Sequence, residues 1–160
     1  MPDETTTPSV PTWDDYFLGI ASAVAARAKC TRRRVGAVLT IEHRIIATGY
    51  NGAAPGEPDC LEGACPRGQL DYEVVPGLGD YDRPGTPGFC IAIHAEVNAL
   101  LFATRDTKGA TAYITDPPCP GCRKALAAAG IIRAVWPGGS HDRQSLTLWS
   151  PPARGWDAEA

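Results

Sequence analysis

Apolar positions near the start of the chain recur with the period of a helix. They lie three or four residues apart, at Phe17, Ile20, Ala21 and Val24. Thr12 before them is a candidate N-cap, and two aspartates in the first turn favour a helix start. The pattern predicts an amphipathic helix over residues 12–29. Residues 1–11 hold proline, threonine and acidic residues with almost nothing to bury, so we expect a disordered tail there.

Four short runs rich in β-branched residues predict strands. Residues 35–40 and 44–50 flank a short turn, which predicts a β-hairpin. Residues 110–115 and 131–136 enclose a predicted helix over 119–129 that a glycine closes. A strand–helix–strand unit of this kind predicts parallel pairing of its two strands.

The end of the chain has a weaker pattern. Residues 145–149 predict a final short strand or helix, and residues 151–160 predict a flexible tail. We expect one folded domain over residues 12–150, because 160 residues of 44% hydrophobic composition are enough for a single core.

A helix predicted over residues 91–104 is apolar around nearly its whole circumference. Its large apolar residues, with alanines between them, are Ile93, Val97, Leu100, Leu101 and Phe102. A helix of this composition has to be buried. We therefore expect a sheet on one side of it and a second subunit of a homo-oligomer on the other.

Residues 53–90 are dense in Gly, Pro and Asp and show little periodicity. A loop of this length inside a compact domain is usually functional, or is held by something other than packing. We interpret the segment as a cysteine-bearing insertion over the active-site face.

Composition and charge narrow the class of protein. The net charge of −3 argues against a nucleic-acid partner and favours a small substrate. No apolar run approaches the ~20 residues of a membrane-spanning helix, and no basic, apolar leader is recognisable, so we expect a cytoplasmic protein without membrane association. In that compartment the six cysteines are expected to bind metal rather than to form disulfides.

Two motifs carry the candidate chemistry, HAE at residues 94–96 and PCPGC at residues 118–122. One imidazole and two thiolates fill three corners of a zinc tetrahedron and leave the fourth for water, as in catalytic zinc sites. The predicted ligands are His94, Cys119 and Cys122. Glu96 would take a proton from water and pass it to a ring nitrogen. The combination is typical of zinc-dependent nucleobase deaminases.

More ordinary interpretations exist for each residue. A single Cys-x-x-Cys is more often a structural zinc half-site or a redox pair, and a lone histidine is more often a buried, hydrogen-bonded one. A non-enzymatic zinc module would need the same spacing, but it has no use for Glu96 beside an open coordination position. A deaminase of nucleic-acid bases is a further alternative, against which the acidic net charge counts.

Four stretches of the chain resemble the deoxycytidylate (dCMP) deaminase family. They are WDDYFLGIASAVAARAKCTRRRVGAVL, RIIATGYNGAAPGEPDC, HAEVNALLFATR and ATAYITDPPCPGC. The resemblance implies a three-layer α/β/α cytidine deaminase-like fold with a mixed five-stranded sheet. It also implies zinc at the three predicted ligands and Glu96 as acid and base. Asn51 would contact the substrate, and the Ala95 backbone would hold the amide edge of the pyrimidine.

The resemblance also implies an activity and its regulation. The expected reaction is the hydrolytic deamination of dCMP to dUMP with release of ammonia. Members of the family are commonly hexamers, activated by dCTP and inhibited by dTTP, with Mg²⁺ accompanying the nucleotide. Related members of the superfamily act on other small substrates, so dCTP, CMP, modified dCMP, cytidine and guanine stay open as alternatives.

A nucleotide substrate needs cationic groups for its phosphate. The candidates are Arg32, Arg33, Arg34, Arg105 and Lys124, of which we favour Arg33, Arg34 and Arg105. Each of them is individually more often a solvated surface charge.

Four further cysteines lie outside the two motifs, at Cys30, Cys60, Cys65 and Cys90. They flank segments that could meet on one side of the active-site mouth. Some bacterial and phage members of the resembled family carry a second zinc near these positions. Free buried cysteines that pack as small hydrophobes are the alternative. We expect a closed structural zinc site that holds the insertion, because the insertion has little apolar area to hold it otherwise.

Overall fold

The computed structural model describes residues 9–74 and 80–147. The elements follow in the order α1 (Trp13–Ala25), β1 (Gly36–Ile41), β2 (Arg44–Tyr50), α2 (Ala95–Leu101), β3 (Thr111–Ile114), α3 (Pro120–Ala128), β4 (Arg133–Trp136), β5 (Gly139–Asp142) and α4 (Arg143–Leu146). Two short 3-10 helices, Arg67–Gln69 and Asp80–Asp82, lie in the insertion. In the described residues no helix is long and apolar enough to cross a membrane. The tails predicted at 1–11 and 151–160 lie largely outside these residues.

The five strands form one mixed sheet in the order β2-β1-β3-β4-β5. β1 pairs antiparallel with both β2 and β3, and β4 pairs antiparallel with β5. β3 and β4 are parallel, because α3 connects them across one face of the sheet. The predicted hairpin and the predicted parallel pair are both confirmed.

Helices cover both faces of the sheet. Side chains of one face pack with α1 in a cluster of Phe17, Ala21, Val38, Tyr113 and Val135. Neighbouring strand residues point the other way, as the alternation of a strand requires. They pack with α2, α3 and α4 in a larger cluster that includes Leu39, Ala99, Ile114, Leu126 and Leu146. The arrangement confirms the three-layer α/β/α fold.

Two glycines let helices approach the sheet closely. A Cβ at Gly36 would collide with backbone atoms of α1, and a Cβ at Gly49 would collide with the Ala95 carbonyl oxygen and the Ala99 amide nitrogen. Gly49 lies one residue before the end of β2, so the first turn of α2 packs directly against the end of this strand. The HAE motif begins at this edge.

The helix predicted over 91–104 is shorter than expected. Ile93 forms an isolated antiparallel bridge with Gly52, through hydrogen bonds of 2.8 and 3.2 Å between their backbones. The chain before α2 is therefore extended, and the helix ends at Leu101. The exposed fraction is 65% for Leu101 and 62% for Phe102, so within one chain the helix is not buried all round.

The structure differs from the sequence prediction at two further places. α1 ends at Ala25 rather than near residue 29. β5 was not predicted, because Gly139–Asp142 is polar and its backbone pairs at the edge of the sheet. Ser145, expected in a final strand or helix, lies in α4, and the rest of that segment beyond residue 147 lies outside the described residues.

Candidate active site

One imidazole and two thiols of the HAE and PCPGC motifs meet at the edge of the sheet. The Nδ1 atom of His94 lies 3.3 Å from Cys122 Sγ and 3.5 Å from Cys119 Sγ. The three ligand atoms all lie within 4.8 Å of one another, which no other group of His, Cys, Asp and Glu side chains achieves in the described ranges. The spacing therefore brings together the three side chains that the sequence predicted as ligands.

Helix starts position these residues. His94 is the N-cap of α2 and Cys119 is the N-cap of α3, both with extended backbone. The Cys119 sulphur accepts a hydrogen bond of 3.4 Å from the Cys122 amide, as an N-cap side chain does. Pro120 occupies the first helical position, where its missing N–H costs nothing. His94 therefore precedes the first turn of α2 instead of lying in it.

The two thiols of the site hold their protons very differently. Hydrogen bonds from Cys122 and His94 lower the pKa of the Cys119 thiol to about 3. The neighbouring Cys119 sulphur, together with burial, raises the pKa of Cys122. Without a metal these shifts favour a thiolate at Cys119 and a protonated thiol at Cys122, whose proton a bound cation would displace. A donor set of one imidazole and two sulphurs fits zinc.

Glu96 lies beside this group without belonging to it. Its exposed fraction is 4%, and burial raises the pKa of its carboxyl group above the ordinary value. The carboxyl group makes a hydrogen bond with the Cys122 thiol, which partly opposes that shift. A buried carboxyl next to a metal-binding group, but outside its ligand set, is suited to holding and transferring a proton.

A cavity of about 230 Å³ opens above these residues. Asn51 lines it, together with Ala95 and Glu96. The Asn51 carboxamide accepts a hydrogen bond of 2.8 Å from the Val35 amide and donates one of 2.8 Å to the Arg33 carbonyl. Asn51 therefore joins the end of β2 to the loop before β1 and fixes one wall of the cavity. Its carboxamide keeps one donor and one acceptor lone pair for other contacts.

The predicted phosphate-binding arginines are not all at the cavity. Arg33 lines it and forms an ion pair of 2.9 Å with Asp116. Arg34 and Arg105 are exposed and do not belong to the cavity wall, and Lys124 is exposed on α3. Arg32 lines the cavity, but its guanidinium donates to backbone carbonyls of the insertion.

The insertion contributes two residues that the sequence analysis missed. Arg67 and Tyr81 line the cavity, and the Tyr81 ring lies 5.9 Å from the His94 ring between centroids. Neither residue belongs to a periodic pattern or a motif, so only the folded insertion reveals them.

The four remaining cysteines all line the same cavity. Cys65 Sγ and Cys90 Sγ are 3.9 Å apart. The Cys30 sulphur accepts hydrogen bonds of 3.3 Å from two successive backbone amides, and the Cys60 sulphur accepts one of 3.4 Å from the Thr31 amide. Gly68 packs so closely on Cys60 that a Cβ there would collide with the sulphur. The four cysteines thus line the same cavity, although among the described residues no three of their sulphurs lie within 4.8 Å of one another.

Comparisons with known proteins agree with this geometry. Residues 11–137 match the family model of the cytidine and deoxycytidylate deaminase zinc-binding region. The chain is 49% identical over 130 residues to the deoxycytidylate deaminase of Mycobacterium phage D29, an alignment that covers 81% of this chain and 97% of the phage protein. It is 41% identical over 128 residues to the deoxycytidylate deaminase of Saccharomyces cerevisiae, covering 79% of this chain and 38% of the yeast protein.

A solved structure shares the fold. The dCMP deaminase of cyanophage S-TIM5, in complex with dCMP and dUMP, superposes with a TM-score of 0.55 and 25% sequence identity, covering 78% of this chain and 79% of the cyanophage chain. The family match spans strands β1 to β4, the insertion between β2 and α2, and both helix starts of the site. This chain therefore belongs to the cytidine and deoxycytidylate deaminase family.

Proposed function

We propose that this protein catalyses the zinc-dependent hydrolysis of dCMP to dUMP and ammonia. The observation that carries the proposal is the buried Glu96 carboxyl beside the His94, Cys119 and Cys122 group, at the base of a small cavity. A closed structural metal site would not need a buried carboxyl next to its ligands. The phage, yeast and cyanophage relatives named deoxycytidylate or dCMP deaminase support dCMP as the substrate.

The three ligands would hold zinc, which supplies a Lewis acid that makes water acidic enough to react at neutral pH. Glu96 takes one proton from the attacking water and gives it to the pyrimidine ring nitrogen. It then takes the remaining proton of the added hydroxyl and gives it to the amino group, which leaves as ammonia while the ring carbonyl forms. Its burial keeps bulk water from competing for that proton. We propose that the Ala95 backbone and the free donor and acceptor of the Asn51 carboxamide orient the base.

The phosphate of dCMP would need a cationic side chain at the cavity. Arg33 lines the cavity, and its pairing with Asp116 would have to loosen or be shared when a phosphate binds. Arg34 and Arg105 lie away from the cavity of their own chain, so they would act only on the cavity of a neighbouring subunit. That use of them requires an oligomer.

An assembly of six subunits is proposed as part of the same function. The large exposed fractions of Leu101 and Phe102 support a contact between copies at the end of α2. Regulation by dCTP and dTTP with Mg²⁺ stays a proposal that rests on the family resemblance. Velocity curves for dCMP with each effector, measured with and without Mg²⁺, test it.

The four cysteines of the insertion side are proposed to bind a second, structural zinc. Two thiolates on one zinc, at a bond length of about 2.3 Å, lie about 3.8 Å apart. The separation of 3.9 Å between Cys65 and Cys90 is close to that value. Backbone amides donate hydrogen bonds to the sulphurs of Cys30 and Cys60. Burial raises the pKa of the Cys60 thiol, and it raises that of Cys90 to about 11, so a bound metal would have to displace their protons. The site would fasten the insertion to the loop that begins at Cys30.

A panel of ammonia-release assays tests the substrate. It contains dCMP, CMP, dCTP, deoxycytidine, guanine and methylated dCMP, each at the same concentration. We expect the highest kcat/KM for dCMP. A higher kcat/KM for any other member would assign this family member to that substrate instead. Absence of ammonia from the whole panel with zinc-loaded protein would contradict a deaminase of small substrates.

A further inference from the structure

Three arginines line the active-site cavity, and each is engaged differently. Arg32 is occupied by the insertion itself. Its guanidinium donates four hydrogen bonds of 2.9 to 3.3 Å to the carbonyls of Leu70, Asp71, Tyr72 and Val74. A guanidinium has five N–H donors, so Arg32 has little left for a ligand. It serves to hold residues 70–74 against the loop before β1.

Arg33 is occupied by a carboxylate. Its Nε atom lies 2.9 Å from Asp116 Oδ2, and 73% of its side chain is exposed. A phosphate would have to compete with Asp116 for this guanidinium. The competition and the exposure both reduce what Arg33 contributes to anion binding.

Arg67 is held in place, and no carboxylate in the described part of the chain forms an ion pair with it. Its backbone amide donates to the Phe89 carbonyl at 2.9 Å, and its Nη1 donates to the Gly88 carbonyl at 3.2 Å. Within the described ranges no carboxylate lies within 4.0 Å of its guanidinium. The group therefore combines a fixed position with N–H donors that no described carboxylate uses, which suits an arginine for binding an anion.

The Tyr81 ring lies between the Arg67 guanidinium and the His94 ring. The Arg67 guanidinium carbon lies 5.9 Å from the centroid of the Tyr81 ring, and that ring lies 5.9 Å from the His94 ring. The cation and the metal-binding group are thus separated by one aromatic side chain along the cavity wall. Arg67 and His94 both line this cavity, so a ligand that fills it would meet both groups.

The backbone around Arg67 is held in place by contacts with the buried cysteines of the insertion. It begins the 3-10 helix Arg67–Gln69, and the next residue, Gly68, packs directly on the Cys60 sulphur. Cys65 lies two residues before it and is buried. An arginine on a loose surface loop loses side-chain and backbone freedom when it binds an anion. Arg67 would lose less, because its backbone is already held by these contacts.

We propose that Arg67 binds the 5′-phosphate of the nucleotide and is the main residue that selects a nucleoside monophosphate over the free nucleoside. This inference rests on the proposed function for the identity of the base, and adds the insertion as the source of phosphate recognition. The neutral cytosine base and the sugar offer no anion, so the phosphate is the group of the substrate that matches a guanidinium.

The test compares Arg67→Gln with Arg83→Gln, a control in the same insertion whose exposed side chain does not line the cavity. We expect Arg67→Gln to lower kcat/KM for dCMP about 10- to 100-fold, mainly through KM, because hydrogen bonds to a charged group are lost. Deoxycytidine turnover and zinc content should stay within about twofold. Arg67→Lys should recover part of the loss, since it keeps the charge but not the fork of donors.

Several results would overturn the inference. One is an equal loss on dCMP and deoxycytidine, which would mean that Arg67 shapes the cavity. A second is loss of zinc, which would mean that it balances the charge of the cysteine group. A third is unchanged kinetics in Arg67→Gln.

Calorimetry with dUMP and deoxyuridine separates this inference from the proposed function. If the wild-type protein releases no ammonia from dCMP, the proposed function fails. Tighter binding of dUMP than of deoxyuridine that disappears in Arg67→Gln would still support Arg67 as the phosphate site. Equal binding of the two ligands by wild-type protein would overturn it.

Discussion

Gly49 on β2 lies in direct contact with the backbone of Ala95 on α2, with no space for a Cβ between them. The contact joins the end of a strand to the residue between His94 and Glu96. It therefore controls where the HAE motif stands relative to the cavity.

Replacing Gly49 by alanine should displace α2 or strain the sheet, because both colliding groups are backbone atoms that cannot rotate away. We expect a loss of about 1–3 kcal/mol in the free energy of unfolding, together with reduced activity. Urea denaturation of the zinc-loaded protein measures it. Gly19→Ala is the matched control, since its Cβ would meet nothing within 4 Å. That change should raise stability by about 0.5–1 kcal/mol, as in any helix interior. Equal stabilities of the two variants would show that the close approach at Gly49 is unimportant.

Glu96→Gln should keep the fold and the zinc but lose turnover. The substitution preserves the size of the buried side chain and removes its ability to carry a proton, so kcat should fall by about 100-fold or more. Ammonia release and metal content are measured on the same sample. Glu57→Gln, at an exposed position outside the active-site cavity, provides the control and should behave as wild type. Turnover comparable to wild type in Glu96→Gln with unchanged zinc would contradict the assigned role.

The proposed second zinc site at Cys30, Cys60, Cys65 and Cys90 predicts how many zinc ions each chain binds. Purified protein should contain about two zinc ions per chain, and a Cys60→Ser, Cys65→Ser double variant should contain about one. The remaining zinc would be the one held by His94, Cys119 and Cys122. The double variant should therefore keep this zinc but have a lower free energy of unfolding than the wild-type protein. One zinc in the wild-type protein, with four thiols that react readily with iodoacetamide in the native state, would rule out the second site.

The ion pair between Asp14 and Arg133 predicts a dependence of stability on pH. The two guanidinium nitrogens lie 2.8 and 2.6 Å from the two carboxylate oxygens, and this pairing lowers the pKa of Asp14 below its ordinary value of 3.8. A carboxyl with a depressed pKa stabilises the fold above 3.8, and the contribution is lost as the pH falls through its folded-state pKa. Both side chains are about 40% exposed, so screening limits the effect to about 0.5–1 kcal/mol.

Asp14→Asn measures this contribution. The stability difference between wild type and variant should be present at pH 7 and should shrink as the pH falls below 3.8. Denaturant titrations at each pH give the difference directly. A difference that is the same at pH 7 and at pH 3 would show that Asp14 acts through packing or helix capping rather than through its charge.

The sequence predicted those parts of the fold that local pattern determines. The first helix follows from apolar periodicity, the hairpin from two β-branched runs around a short turn, and the parallel pair β3–β4 from the strand–helix–strand order. The HAE and PCPGC motifs predicted the metal-binding group because helix N-caps place their side chains in a reproducible way. β5 was not predicted because Gly139–Asp142 is polar and has no apolar alternation, and its pairing with β4 is made through the backbone.

The cavity wall was harder to predict, because it depends on contacts between distant segments. Arg67 and Tyr81 reach the site only through the path of the insertion. Arg32 donates its hydrogen bonds to backbone carbonyls of the insertion and is not a free cation. The spacing of residues along the sequence does not indicate this. Asn51 was expected to contact substrate, and the structure adds its hydrogen bonds to the loop before β1. Such assignments need the tertiary structure.

Ammonia release from dCMP as a function of zinc content tests the central claim most directly. One protein sample is depleted of metal in steps with a chelator and then reloaded with Zn²⁺, and the activity and bound zinc are measured at each step. The account predicts that activity disappears with the zinc held by His94, Cys119 and Cys122 and returns when that zinc is restored. Full activity in metal-free protein, or no ammonia from dCMP in fully loaded protein, would contradict it.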